Sequence, residues 1–127
     1  MEARAVAKYV RMSPRKARLV ANMVRGKVVE DALNVLHFTP KKAALPIEKA
    51  IRSAVANMTN YEERTKVEPD EVYVKEIRVD DGYRMKRYRP GSMGRAMPIR
   101  RRTCHITVVV ADIEEEPAEA TAEAAEA

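Results

Sequence analysis

The feature that most restricts what this 127-residue chain can fold into is a long basic segment without acids. Residues 84–102 hold seven arginines and one lysine, and no Asp or Glu occurs in residues 83–111. Gly91 and Gly94, with Pro90 and Pro98, predict a turn between two extended arms. An isolated two-stranded ribbon is only marginally stable in water, and repulsion between like charges weakens it further. We therefore expect a basic arm that is stable only when embedded in an anionic partner.

The residue types in this segment favour nucleic acid as the partner. Its bases alternate with Tyr83, Met85 and Tyr88, as expected of a chain that pairs with phosphates and stacks on bases. The guanidinium group binds phosphate through two hydrogen bonds and stacks on rings. A solvated basic loop is the simpler interpretation, but it gives no reason for the excess of arginine. An architectural DNA-binding protein, with the ribbon in a groove, is the other alternative.

The net charge of +5 hides a segregation of charge along the chain. Residues 112–127 contain seven acids and no base, so residues 1–111 carry 24 bases and 12 acids, a net charge of +12. We predict one basic domain over residues 1–111 and an acidic, disordered Ala/Glu-rich tail over residues 112–127. One hypothesis is that the tail screens the domain from unspecific RNA.

Other classes of function are disfavoured. The longest apolar runs have four residues and the N-terminus lacks a signal-peptide segment, so a soluble cytoplasmic protein is expected. We predict no cofactor and no metal site, since one cysteine and two histidines are too few for zinc, and Asp80-Asp81 suits a turn or bulge. Cys104 and His105 could form a nucleophile pair, but adjacent residues of a strand point to opposite faces. No catalytic site is predicted.

Three helices are expected in the first half of the chain. The first begins at Ser13-Pro14, where the serine oxygen can cap free amides, and ends at Gly26. A second, shorter helix contains Val29 to Leu36. The third opens at Thr39-Pro40, and Pro46 predicts a kink or a helix that is regular only beyond it.

Strands are expected over residues 2–11, 71–79 and 103–111, with a loop over residues 60–70. Val74 and Ile77 differ in parity, which predicts a bulge or a strand covered on both faces. Taken alone, Asp81-Gly82 predicts a tight hairpin turn.

The start of the first helix adds an independent signal for an anionic partner. Arg15, Lys16 and Arg18 occupy its opening turns, where the helix dipole disfavours cations by a few tenths of a kcal/mol each. Contacts with phosphate would offset that penalty, whereas the alternative is chance placement on an exposed face.

Several motifs, in order across residues 4–111, resemble the bacterial form of the large ribosomal subunit protein twenty-two family. They are Met12-Ser13-Pro14-Arg15-Lys16-Ala17-Arg18, Arg25-Gly26-Lys27, Lys41-Lys42-Ala43-Ala44, Ser53-Ala54-Val55-Ala56-Asn57, Met85-Lys86-Arg87, Gly94-Arg95-Ala96 and residues 102–110.

The resemblance implies an α+β fold, with three helices packed on a three-stranded antiparallel sheet and a long protruding basic β-hairpin over about residues 82–102. It moves the turn from Asp81-Gly82 to a tip near residues 90–97.

The resemblance also implies a monomer within the large subunit, bound to 23S ribosomal RNA and neighbouring ribosomal proteins, with no enzymatic activity and no membrane partner. The globular part would lie near the opening of the peptide exit tunnel. The hairpin would bridge several RNA domains and line the tunnel wall, near a constriction where macrolides bind and the nascent peptide passes. A role in early subunit assembly is implied as well.

Four features depart from the family pattern: Gly91-Ser92-Met93 in place of tip bases, Cys104 in place of serine, Pro46 within a helix, and the acidic tail. The predicted tunnel-lining tip comprises Arg89, Pro90, Gly91, Ser92, Met93, Gly94, Arg95 and Ala96. The predicted RNA-binding residues are Arg4, Lys8, Arg11, Arg15, Lys16, Arg18, Arg25, Lys27, Lys41, Lys42, Arg84, Lys86, Arg87, Arg89, Arg95, Arg100, Arg101, Arg102 and His105.

Overall fold

The computed structural model describes residues 2–62, 68 and 70–112. In this part of the chain, three helices accompany one three-stranded antiparallel sheet of order β1-β3-β2, which confirms the predicted α+β class. The elements are β1 (Glu2–Val10), α1 (Pro14–Val24), α2 (Val29–Phe38), α3 (Ala44–Glu62), β2 (Val72–Pro90) and β3 (Ala96–Asp112), with a short 3₁₀ turn over Ser92–Gly94. Of the predicted tail, residues 112–127, Asp112 is instead the last residue of β3, where it pairs with Val72, and residues 113–127 lie outside the described residues.

The core forms between one face of the sheet and the three helices. Central strand β3 contributes Ile106, Val108 and Val110, all fully buried. Small side chains let α3 pack closely on edge strand β1, since Ala3 and Ala5 of the strand are buried together with alanines of the helix. The alanine-rich stripe predicted for the third helix therefore packs as expected. Among the described residues, no helix is long and apolar enough to cross a membrane.

The predicted ends of α1 are largely confirmed. Pro14 occupies the first helical position, where its missing N–H costs nothing. Gly26 follows the helix with φ +81°, a conformation that glycine adopts without strain. The predicted capping bond is wrong, because the Ser13 side chain makes no capping hydrogen bond.

Helix α3 begins later than the sequence indicated. Thr39-Pro40 ends α2 instead of opening α3: Thr39 is its C-cap residue, and the Thr39 hydroxyl donates to the Val35 carbonyl. Pro46 falls in the first turn of α3, just before Ile47, whose N–H donates to the Ala43 carbonyl. An amide at position 46 would have no partner within the helix, so proline is tolerated there, in line with a helix regular only beyond it.

The predicted loop over 60–70 is wrong at residues 60–62, which are helical, and residues 63–67 and 69 lie outside the described residues.

Strands β2 and β3 are longer than predicted, and β2 contains two bulges. The first lies between Val74 and Glu76, as the change of parity predicted. The second, between Asp81 and Arg84, lies where the dipeptide alone predicted a turn. Gly82 is needed at this bulge because a Cβ there would lie 2.5 Å from Thr103 Oγ1 and 3.2 Å from the Thr103 carbonyl. The glycine thus allows close approach of β3, and β2 continues past it to Pro90.

Candidate nucleic-acid interface

Beyond the second bulge, β2 and β3 pair only with each other. The seven pairs from Arg84 with Arg102 to Pro90 with Ala96 form the segment we call the basic ribbon, residues 84–102 with a connection at residues 91–95. Strand β1 pairs with β3 only as far as Cys104, so no third strand accompanies the ribbon. None of its residues is buried.

One face of the basic ribbon places like charges directly opposite each other. Arg84 pairs with Arg102, and Lys86 pairs with Arg100. None of the ribbon's eight bases forms an ion pair with an acid in the described part of the chain. Like charges in directly opposed positions destabilise an antiparallel pair. The cations on this face therefore have no anionic partner within the described part of the chain.

The other face alternates cations with apolar side chains. Arg101 lies opposite Met85, Arg87 opposite Ile99, and Arg89 opposite Met97. Each cation on this face thus has an apolar cross-strand neighbour, an arrangement that can contact both a phosphate and the flat surface of a base.

The like-charge face of the ribbon meets the start of α1 in a cavity of about 240 Å³. Ser13, Pro14, Arg15, Arg18, Asp81, Arg84 and Arg102 line it. The first turn of α1 contains no acid and its N-cap side chain makes no capping bond, so α1 itself does not compensate the positive end of its dipole, and Asp81 is the one acid among the described residues that line the cavity. The fold thus brings arginines from α1, β2 and β3 to one site suited to an anion.

Two predicted RNA-binding arginines also hold the fold together. Arg18 donates from Nε and Nη2 to the Val79 carbonyl at 3.1 and 2.9 Å, and its Nη2 lies 3.9 Å from Asp81. Arg25 donates to the Ile77 carbonyl at 2.8 Å. Since β2 is an edge strand, these bonds satisfy carbonyls that no neighbouring strand reaches. Arg18 therefore presents a guanidinium whose position in the cavity is already fixed.

The remaining predicted bases are spread over the surface. Arg4 and Lys8 lie on β1, Lys16 on α1, and Lys27 just after α1. Lys41 and Lys42 lie between α2 and α3, and Lys42 Nζ lies 3.4 Å from the Arg11 carbonyl oxygen, which joins that connection to the end of β1. All predicted Lys and Arg side chains are exposed, and His105 is half-buried.

The tip of the ribbon is a tight turn. Met93 and Gly94 adopt φ +58° and +71°, and the Gly91 N–H donates to the Arg95 carbonyl at 2.6 Å. Met93 is 95% exposed. The only bases in the predicted tip are Arg89 and Arg95, which flank the turn.

Cys104 and His105 do not form a nucleophile pair. The Cys104 side chain is fully buried, and this burial raises the pKa of its thiol, a rise that nearby Arg18 opposes and Asp81 supports. His105 Nδ1 instead accepts the backbone N–H of Tyr9 at 3.0 Å. Within residues 2–62, 68 and 70–112, no three potential metal-ligating side chains cluster. Asp80 and Asp81 pair with His105 and Cys104 of β3, just before the second bulge.

Tyr9 is a surface residue that sequence reasoning missed. It adopts φ +57°, an uncommon conformation for a bulky side chain that costs about 1–2 kcal/mol. Tyr9 is 64% exposed, and its ring packs edge-on against His105, with the ring centroids 4.8 Å apart. An aromatic residue within the basic run Lys8–Arg11 was the available signal, but its conformation depends on pairing with β3.

The sequence matches the family of ribosomal protein L22p/L17e over residues 5–111. It is 53% identical to the large ribosomal subunit protein uL22 of Carboxydothermus hydrogenoformans over 115 residues, which cover 91% of this chain and 99% of that protein. The uL22 protein of Maridesulfovibrio salexigens is 54% identical over 89% of this chain and its own full length. That of Myxococcus xanthus is 50% identical, with 88% and 97% covered. The chain belongs to the ribosomal protein L22p/L17e family, a family of structural ribosomal proteins and not of enzymes.

Proposed function

We propose that this chain is an RNA-binding structural protein of the large ribosomal subunit, which anchors 23S ribosomal RNA through α1 and the basic ribbon. Its family membership makes it a ribosomal protein of the cytoplasmic ribosome and a component of translation. Binding neutralises charge: RNA phosphates supply the anions that the fold itself does not supply.

The pair of like-charge contacts across the ribbon is the observation that carries this proposal. Arg84 opposite Arg102, and Lys86 opposite Arg100, repel each other in the free protein. A phosphate between two such side chains converts repulsion into two charge-assisted hydrogen bonds. The cavity that joins Arg84 and Arg102 to Arg15 and Arg18 extends the same surface onto the body. RNA binding therefore stabilises the ribbon while the ribbon fixes the RNA.

The ribbon's length suggests how the protein reaches into folded RNA. Seven residue pairs at about 3.3 Å each span roughly 23 Å beyond the last pairing with β1. We propose that this ribbon protrudes from the body, bridges several RNA domains and lines the wall of the peptide exit tunnel. Its tip, with Met93 nearly fully exposed, would face the nascent peptide. The body would lie near the tunnel opening as a single copy beside other ribosomal proteins, and binding would occur early in subunit assembly.

The test is a salt titration of affinity for structured large-subunit RNA. If about eight phosphates are neutralised at single-strand-like sites, log K falls with log salt at a slope near −6. The variant Arg84→Gln/Lys86→Gln/Arg100→Gln/Arg102→Gln should reduce the steepness by about 3. A control with the same loss of charge, Lys49→Gln/Arg52→Gln/Lys75→Gln/Arg78→Gln, changes cations outside the predicted set, three of them ion-paired. It should leave the slope nearly unchanged.

Equal changes in the two variants would show that net charge alone drives binding, and would contradict the assignment to the ribbon. Competition then separates the proposal from the architectural DNA-binding alternative. Structured RNA should displace duplex DNA at equal phosphate concentration, and the reverse order would favour the DNA function. Co-sedimentation with large subunits measures incorporation of the protein. The ribbon variant should be incorporated less than the wild type, and the control variant should be incorporated equally.

A further inference from the structure

Two bulges lie opposite each other across β3. In β1, the register shifts between Ala7 and Val10, and in β2 it shifts between Asp81 and Arg84. Val10 and Asp81 both pair with Cys104 of the strand between them. Each bulge carries a tyrosine, Tyr9 in β1 and Tyr83 in β2. Bulges re-aim side chains and are enriched beside functional sites.

Both tyrosines are fixed to β3 by hydrogen bonds. The Tyr9 N–H donates to His105 Nδ1, which holds the backbone at its positive φ and the ring against the imidazole. At Tyr83, the carbonyl accepts the Thr103 hydroxyl at 2.6 Å. Unfavourable backbone conformations persist where the surrounding structure enforces them, and they cluster at binding sites. The two rings are thus presented on anchored backbones.

The two tyrosines line one cavity of about 360 Å³ together with Arg11, Met85 and Thr103. Tyr9 and Tyr83 are 64% and 68% exposed, although each tyrosine ring has an apolar face. Their strands lie on either side of β3, and they contact His105 and Thr103, which are two residues apart on β3, so their backbones are roughly 11–12 Å apart. Stacked aromatic rings lie about 4.5–7 Å apart between centroids, so this separation leaves room for one planar ring between the tyrosines.

We infer that the cleft between Tyr9 and Tyr83 receives one unstacked nucleobase of the bound RNA, with Arg11 at its rim contacting the adjoining phosphate. This inference rests on the proposed function and specifies how the base of the ribbon recognises RNA. It differs from the arginine cavity, because Tyr83 and Arg84 are adjacent on β2 and line different cavities. The arginine cavity takes phosphate, and the tyrosine cleft takes a base.

The experiment uses the full chain and a short oligoadenylate carrying one 2-aminopurine. A matched oligomer of abasic ribose phosphates keeps the charge and removes the rings. Wild-type protein should bind the oligoadenylate about ten-fold more tightly than the abasic oligomer at the same salt concentration. Tyr83→Leu should abolish most of this preference and most of the change in 2-aminopurine fluorescence on binding, while the salt slope stays unchanged. The chain contains no tryptophan, so no indole emission overlaps the signal.

Controls separate stacking from other effects. Tyr83→Phe keeps the ring and should retain the preference. Phe38→Leu removes an exposed aromatic ring at the end of α2, outside both the cleft and the ribbon, and should also leave the preference unchanged. Tyr9→Leu should act like Tyr83→Leu; if it fails to fold, Tyr83→Leu decides alone. Equal, salt-dependent binding of both oligomers by the wild type would overturn the nucleobase cleft and leave the proposed function standing. Absence of salt-dependent binding to either oligomer, and to structured large-subunit RNA, would overturn the proposed function itself.

Discussion

The body and the basic ribbon satisfy their charges in opposite ways. In the body, Arg18 and Arg25 donate to carbonyls of β2, and Arg52 lies 2.8 Å from Glu48. In the ribbon, the one side-chain hydrogen bond made by a base in the described chain is from Arg87 to the carbonyl of its neighbour Lys86. The body therefore folds around partners that it contains, whereas the ribbon's charges have no acid partner among the described residues.

The body and the ribbon also differ in the burial of their apolar side chains. The core includes residues from every helix and all three strands, yet no residue of the core belongs to residues 84–102. The contrast teaches that the two regions depend on different free-energy terms: apolar burial stabilises the body, whereas we propose that the ribbon is stabilised by electrostatic neutralisation on binding. The predictions that follow test this division, beginning with the largest expected effect.

Truncation of a core side chain should destabilise the body strongly. Ile51 of α3 is fully buried, and Ile51→Ala should lower the free energy of unfolding by about 2–5 kcal/mol, because it removes apolar contacts and leaves a cavity. The matched ribbon variant, Met97→Ala, changes a side chain that is 58% exposed and should stay within about 0.5 kcal/mol. Urea denaturation monitored by circular dichroism measures both. Similar losses for the two variants would mean that the ribbon contributes to the cooperative core.

A substitution at the junction should have an intermediate effect. Gly82→Ala would force a Cβ against Thr103 Oγ1 and backbone, and we expect a loss of about 1–3 kcal/mol with faster amide exchange in the ribbon. Thr103→Ala alone removes the hydrogen bond to Tyr83 and should cost about 1 kcal/mol. The double variant should lose less than the sum of the two, since the clash with the hydroxyl is gone. Strict additivity would show that the close contact at Gly82 does not set the register of the bulge.

Charge reversal in the ribbon should have the smallest effect on the free protein. Arg102→Glu places an acid opposite Arg84 and should stabilise the strand pair by about 0.2–1 kcal/mol, with slower amide exchange in residues 84–102. The same variant should weaken RNA binding, because it removes one cation and adds an anion. Arg101→Glu is the control: it makes the same charge change opposite Met85 and should slow exchange less. If Arg101→Glu protects the ribbon equally, direct cross-strand repulsion is not its source of instability.

The local elements could be predicted from the sequence because their signals are local. Pro14 and Gly26 mark the ends of α1, and the parity change between Val74 and Ile77 marks a bulge. The same local rules misplaced the start of α3 at Pro40 and, read alone, placed a turn at Gly82. At Gly82 the outcome depended on a distant partner, because Thr103 lies 21 residues beyond Gly82 in sequence but against it in space. At Pro40 it depended on a local contact, because Thr39 caps α2 through the Val35 carbonyl.

The candidate site was predictable in composition and not in arrangement. All eight ribbon bases could be assigned to an anionic partner from the absence of acids over residues 83–111. Pattern alone could not show that Arg18 and Arg25 bind carbonyls of an edge strand, or that Tyr9 and Tyr83 line one cavity. These contacts join residues more than 50 positions apart, and no spacing rule reaches that far.

By itself, the sequence determined the charge segregation and the order of helices and strands, and it predicted that one segment binds an anionic partner. These follow from composition and short-range periodicity, which act within a few residues. Only the tertiary structure decided which cations have internal partners, because pairing with β3 sets like charges opposite each other in the ribbon, while packing of α1 on β2 lets Arg18 and Arg25 bind carbonyls of β2. The physical reason is that a charge is compensated by what lies within a few ångströms of it, and for this chain those neighbours are set by strand register.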